Sequence, residues 1–155
     1  MIKELCDKLA EPLRRQAEGE RLDGLTELFG LWGAASLEAY ERKRPNAWIG
    51  EFFPTEICAI FDLNPIHIEG LICLPVMEGA SAEIIDRAVD YTLSRDSCTF
   101  QLGALAGIFD RILPEPEVML RANHSCVGRE KQFQSASMLY GKPYHYIDLP
   151  NHFVG

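Results

Sequence analysis

Beyond Pro45 the chain repeats one pattern: a short apolar run closed by proline or glycine, then a longer stretch with apolar residues at helical spacing. No other feature constrains the fold as tightly. Strands joined through helical crossovers lie parallel in one sheet, and such a sheet must be covered on both faces. The strand candidates are 47–52, 66–69, 117–122 and 144–149. Between them the spacing predicts helices at 55–63, opened by Pro54, and from Ser81, a good N-cap, to Leu93. Another should start at Asp96 or Ser97 and carry Phe100, Leu102, Leu105, Ala106 and Phe109. A last one, 129–140, stops at Gly141-Lys142-Pro143. The stretch 70–80, with Gly70, Pro75 and Gly79, reads as a loop.

Two helical segments precede this pattern. Ile2, Leu5, Cys6, Leu9 and Leu13 share one face, and Pro12 is expected to break or restart that helix. Leu22, Leu25, Leu28, Phe29, Trp32, Ala35 and Ala39 form a second stripe, which ends in the charged run 41–44 before Pro45. That run reads as a solvated helix end. Gly33-Ala34-Ala35-Ser36 would let another helix approach closely. The expected architecture is α/β: a Rossmann- or flavodoxin-like parallel sheet of about four strands with helices on both faces. Residues 1–45 form helices packing on the lobe 46–155, one domain overall. A helix would usually return after the last strand to cover the sheet, so 153–155 is an odd place for such a fold to stop.

Charge and apolar runs remove whole classes of function. The net charge is −8, from 15 Lys+Arg against 23 Asp+Glu. Such a surface repels phosphate backbones and argues against nucleic acid. The longest apolar run, 71–77, contains Pro75 and falls far below the ~20 residues of a membrane span. The first residues lack an apolar leader, and five widely spaced cysteines suit reduced thiols in a cytoplasm.

Familiar cofactor signatures are missing: no G-x-G-x-x-G after a strand, no Walker loop, no C-x-x-C, no H-E-x-x-H and no G-x-S-x-G. Cys6, Cys58 and Cys73 lie among apolar neighbours and read as core. Cys98 differs, because it falls in the first turn of a helix, where amide N–H groups and the helix dipole favour a thiolate. Cys126 lies on the turn leaving the third strand, at the ligand edge of a parallel sheet, with His124 beside it as base or donor. Glu51 and Glu56 flank Pro54 at the end of the first strand. Cys98 and Cys126 are the thiol candidates; Glu51, Glu56 and His124 are the candidate acid–base residues of the same edge.

Four blocks in order resemble a known family. Gly50-Glu51-Phe52-Phe53-Pro54-Thr55-Glu56-Ile57, continuing to Asp62-Leu63-Asn64-Pro65-Ile66, is similar to the Y-V-P-E-E-L segment of the 2-hydroxyacyl-CoA dehydratases, a group that includes benzoyl-CoA reductase subunits. Asp96-Ser97-Cys98 looks like the family's D-x-C segment, and Ser125-Cys126 its S-C-D turn. Gly141-Lys142-Pro143 with Ile147-Asp148-Leu149-Pro150 looks like its G-x-P…D-x-P segment. The resemblance implies a lobe of an iron–sulfur subunit, commonly with a [4Fe–4S] cluster, working with a sister subunit or second lobe. It also implies an ATP-dependent activator protein and reductive radical chemistry on acyl-CoA thioesters. Cys98 matches a cluster cysteine and Cys126 another family cysteine. Three departures stand out: Glu51 occupies a position where many members carry a further cluster cysteine, Val127 replaces the acid of the S-C-D turn, and the second lobe, with its further cysteine, lies beyond this chain. With one good match, the chain is expected to hold an incomplete cluster by itself.

Two other readings follow from the residues. A non-catalytic CoA-binding or assembly module would expose an apolar patch and form a homo-oligomer or hetero-complex. A thiol-dependent enzyme would pair Cys126 with His124.

Overall fold

The computed structural model describes residues 1–91, 93–122 and 126–148, with the backbone alone at Val127. Helices α1 (Ile2–Ala17) and α2 (Gly24–Glu41) come first. They are followed by β1 (Asn46–Ile49), α3 (Thr55–Ile60), β2 (Asn64–Ile66), α4 (Ile68–Met77) and α5 (Ser81–Asp90). The rest is α6 (Thr99–Phe109), β3 (Val118–Ala122), α7 (Val127–Tyr140) and β4 (Tyr144–Ile147).

All four strands are parallel, in the order β2-β1-β3-β4. The two central strands pair Ala47 with Val118 and Ile49 with Leu120. On one face, Trp48, Ile66 and Met119 enter a buried cluster with Ile68, Leu71 and Ile72 of α4, Leu102 and Ile108 of α6, and Phe133 and Ala136 of α7. Ile2, Cys6 and Ala39 belong to the same cluster, so the N-terminal helices share this core. The other face is thinner: Ala47, Ile49, Phe53 and Cys58 are buried there beneath α3. Trp48 donates its Nε1–H to the Pro114 carbonyl at 2.8 Å, and Asn46 donates to the carbonyls of Ala39 (2.9 Å) and Glu115 (3.0 Å). Buried polar groups at the strand starts are thereby satisfied.

The structure corrects several local expectations. Pro12 does not break α1, which runs through it. Tertiary contact outweighs the proline penalty, because α1 packs on α2 so closely that a Cβ on Gly33 would lie 2.6 Å from Leu9 Cβ and 2.8 Å from the Ala10 backbone nitrogen. The expected strand 66–69 is β2 at 64–66, and the expected loop 70–80 is mostly helix α4. Ile68, Leu71, Ile72, Leu74 and Pro75 are all buried, so this helix is apolar nearly all round and carries no amphipathic period to read. Ala80, not Ser81, caps α5, and Cys98 itself, not Asp96 or Ser97, is the N-cap of α6. The charged run after α2 is not merely solvated: Arg42, in the left-handed C-cap conformation, ion-pairs with Glu115 (3.1 Å) and with Glu117.

Candidate functional site

The connections from β1 and β3 leave in opposite directions, β1 to β2 and β3 to β4. Parallel sheets bind ligands beyond the carboxyl ends of strands at such a divergence. Past β1 come Gly50 and Glu51; past β2 come His67, the N-cap of α4, and Glu69 in its first turn. Arg121 lies in β3, and Cys126 is the N-cap of α7.

One guanidinium ties these segments together. Arg129, in the first turn of α7, ion-pairs with Glu51 and, through Nε at 3.1 Å, with Glu69 Oε1. Its side chain is 17% exposed and that of Glu69 10%. The second contact lies off the line of a hydrogen bond, so among the described residues Glu69 Oε1 is buried with a charge partner but no hydrogen-bond donor. Burial pushes the Glu69 carboxyl up despite Arg129, while the Arg129 hydrogen bond holds Glu51 down. Burial pushes the His67 imidazole down. Arg121, buried, donates from Nη2 to the Cys126 carbonyl at 2.5 Å and so fixes the entry into α7.

The starts of α6 and α7 adjoin. Gln101 donates to the Gly128 carbonyl at 3.0 Å, and a Cβ on Gly128 would come within 2.5 Å of Gln101 Oε1, so a larger residue there would displace the end of the Gln101 side chain. The two helices open on Cys98 and Cys126, and among the described residues neither carries a side-chain cap. Uncapped by these cysteine side chains, the first-turn N–H groups and the helix dipoles favour negative charge there. Cys98 is exposed and Cys126 half-buried.

Sequence-expected residues divide accordingly. Glu51, Cys98 and Cys126 stand on the strand-end loop and helix starts of this edge. Glu56 lies exposed in the first turn of α3, outside the Arg129 group. His124 lies outside the described residues. Cys6 and Cys58 are wholly buried, and burial pushes the Cys6 thiol up to about 11. Sequence reasoning missed His67, Glu69, Arg121 and Arg129. The available signal was their charge close to the ends of the strands; the misplaced second strand hid the first two.

Among the described residues, no three His, Cys, Asp or Glu side chains gather as a metal ion would require. An iron–sulfur cluster needs about three or four protein ligands. The two thiols at the helix starts therefore suit part of such a ligand set and do not fit a whole one.

The topology defines an all-parallel α/β fold, with the candidate site beyond the carboxyl ends of the strands. The family model of the 2-hydroxyglutaryl-CoA dehydratase D-component matches residues 51–154, and the chain belongs to that family. It is also 28% identical over 129 residues to the (R)-2-hydroxyisocaproyl-CoA dehydratase alpha subunit of Clostridioides difficile. That match takes in 80% of this chain and 32% of the relative, so the chain spans about a third of the relative's length. No described helix is long and apolar enough to cross a membrane.

Proposed function

We propose that the chain is a lobe of a 2-hydroxyacyl-CoA dehydratase-type subunit that receives an acyl-CoA thioester at the carboxyl edge of its sheet and works with a sister subunit or second lobe. The observation that carries this reading is the pair of adjoining helix starts, one opened by Cys98 and the other by Cys126, beside the Arg129 carboxylate group. Cys98 serves as a thiolate ligand, with Cys126 second, and the remaining ligands come from the partner. A bound [4Fe–4S] cluster would supply one-electron chemistry, recharged by an ATP-dependent activator. The residues of this chain orient the substrate: the first-turn N–H groups of α6 and α7 favour negative charge near the thiols. Glu51 stays ionised beside Arg129, and the sequence reading adds Glu56 and His124 as candidate acid–base groups.

The test is anaerobic reconstitution with iron and sulfide beside the partner subunit, read by absorption and EPR. Wild type should show a cluster signal that Cys98→Ser loses. Absence of a signal in both overturns the metal reading.

One observation favours a second reading, a non-catalytic CoA-binding or assembly module. Glu51, at a position where many family members carry a cluster cysteine, is committed to Arg129. This reading predicts thioester binding without iron, and association through the exposed Leu25, Leu28 and Leu31 of α2. A clean monomer by light scattering at high concentration counts against it.

A further inference from the structure

Helix α2 packs one side on α1 and β2 and leaves the other in solvent. Gly30 and Gly33 lie inward, against Leu13 and Leu9 of α1. On the outer side Leu28 is 61% and Leu31 54% exposed. Gly24 and Ala35 are exposed there too, and a Cβ added to Gly24 would meet nothing within 4 Å. No charged residue interrupts the helix between Glu27 and Glu38. Positions 24, 28, 31 and 35 follow the alternating spacing of four and three that keeps one seam of a helix facing a partner helix. We propose that this seam docks antiparallel on the same seam of a second copy of the chain. The proposal rests on the assembly reading above and gives it a partner and an orientation.

Self-complementarity selects a second copy over an unrelated helix. Reversing α2 about the point between Leu28 and Leu31 sets Leu28 opposite the partner's Leu31. The same register sets Gly24 opposite the partner's Ala35, where two small residues let the backbones close. It also sets the exposed Arg21, just before the helix, opposite the partner's Glu38. Within one chain Glu38 pairs only with the Arg44 guanidinium at 3.6 Å, and a second cation suits it. Two-fold symmetry makes each of these contacts twice. A parallel pair would set Glu38 against the partner's Glu38, and like charges in register repel. Antiparallel packing also opposes the two helix dipoles. The 18 residues of α2 give a seam about 27 Å long. One helix pair is smaller than a standard interface, so the dimer is reversible and concentration-dependent.

Sedimentation of the whole chain over a micromolar-to-millimolar series should show a monomer–dimer equilibrium. Leu28→Glu with Leu31→Glu should raise the dissociation constant at least about thirtyfold, the loss expected for anchor residues at the centre of an interface. Both side chains are exposed in the single chain, so its circular dichroism should stay that of the wild type. Orientation is read by cross-linking. Gly24→Cys with Ala35→Cys should join two copies through positions 24 and 35 on oxidation with diamide, as peptide mass spectrometry locates. Gly24→Cys alone should not, because antiparallel packing holds the two copies of position 24 roughly 16 Å apart. A monomer throughout the series overturns the proposal and counts against the assembly reading as well. A dimer that Leu28→Glu with Leu31→Glu leaves unchanged, or that cross-links through Gly24→Cys alone, overturns the antiparallel seam while the assembly reading stands.

Discussion

Replacing Arg129 by methionine removes the guanidinium that ion-pairs with both Glu51 and Glu69. The Glu51 arm is 47% exposed and contributes at most about 1 kcal/mol. The Glu69 arm is different, because both partners are largely buried. Breaking a buried pair costs about 3–5 kcal/mol when the orphaned charge must stay, but Glu69 can escape part of that cost by taking a proton. Burial already raises its carboxyl above the ordinary 4.5, and Arg129 is the largest opposing influence. The native state therefore keeps a proton that the unfolded chain releases above that value. This group's contribution to stability is present below the unfolded pKa and is lost as pH climbs through the folded one. Without Arg129 the folded value rises further and the loss deepens. Urea unfolding should show Arg129→Met less stable by about 1 kcal/mol at pH 5 and about 2–3 kcal/mol at pH 8. The Tm drop at pH 8 should be roughly 4–12 °C for a domain of this size. Adding Glu69→Gln to Arg129→Met should restore most of the loss at pH 8. Equal losses at both pH values, or no rescue by Glu69→Gln, would refute the buried-pair argument.

Three further outcomes can be checked directly. In the native chain iodoacetamide should modify the exposed Cys98 first, whereas Cys6 and Cys58, wholly buried with thiols pushed up by burial, should react only on unfolding, as peptide mass spectrometry would resolve. Gly33→Ala should destabilise by about 1–3 kcal/mol in thermal melts, because the new Cβ would meet Leu9 and the α1 backbone rather than a flexible side-chain tip. Asp23→Ala should cost about 1 kcal/mol, since the Asp23 carboxylate caps α2 by accepting from Leu25 and Thr26 N–H, both at 3.0 Å.

What could be read from the chain depended on whether burial left a period behind. β1, β3 and β4 are short apolar runs stopped by turn residues, and α2 and α7 keep mixed faces, so spacing found them all. Helix α4 is enclosed among α1, α5 and α6, and enclosure requires apolar residues on nearly every side. That removes the alternation by which a helix is recognised, and Gly70 and Pro75 then imitate a loop. The same loss hid half of the edge. Placing the second strand at 66–69 assigned His67 and Glu69 to a sheet, when both belong to the start of a helix. Cys98 and Cys126 were legible because a helix start is a local event, visible in a few consecutive residues. The Arg129 group is not local: it joins positions 51, 69 and 129, which meet only because the order β2-β1-β3 sets three strand ends side by side. A charge at the end of a single strand says little by itself. Three such charges become one electrostatic unit only when the strand order is known, and local spacing leaves that order undetermined.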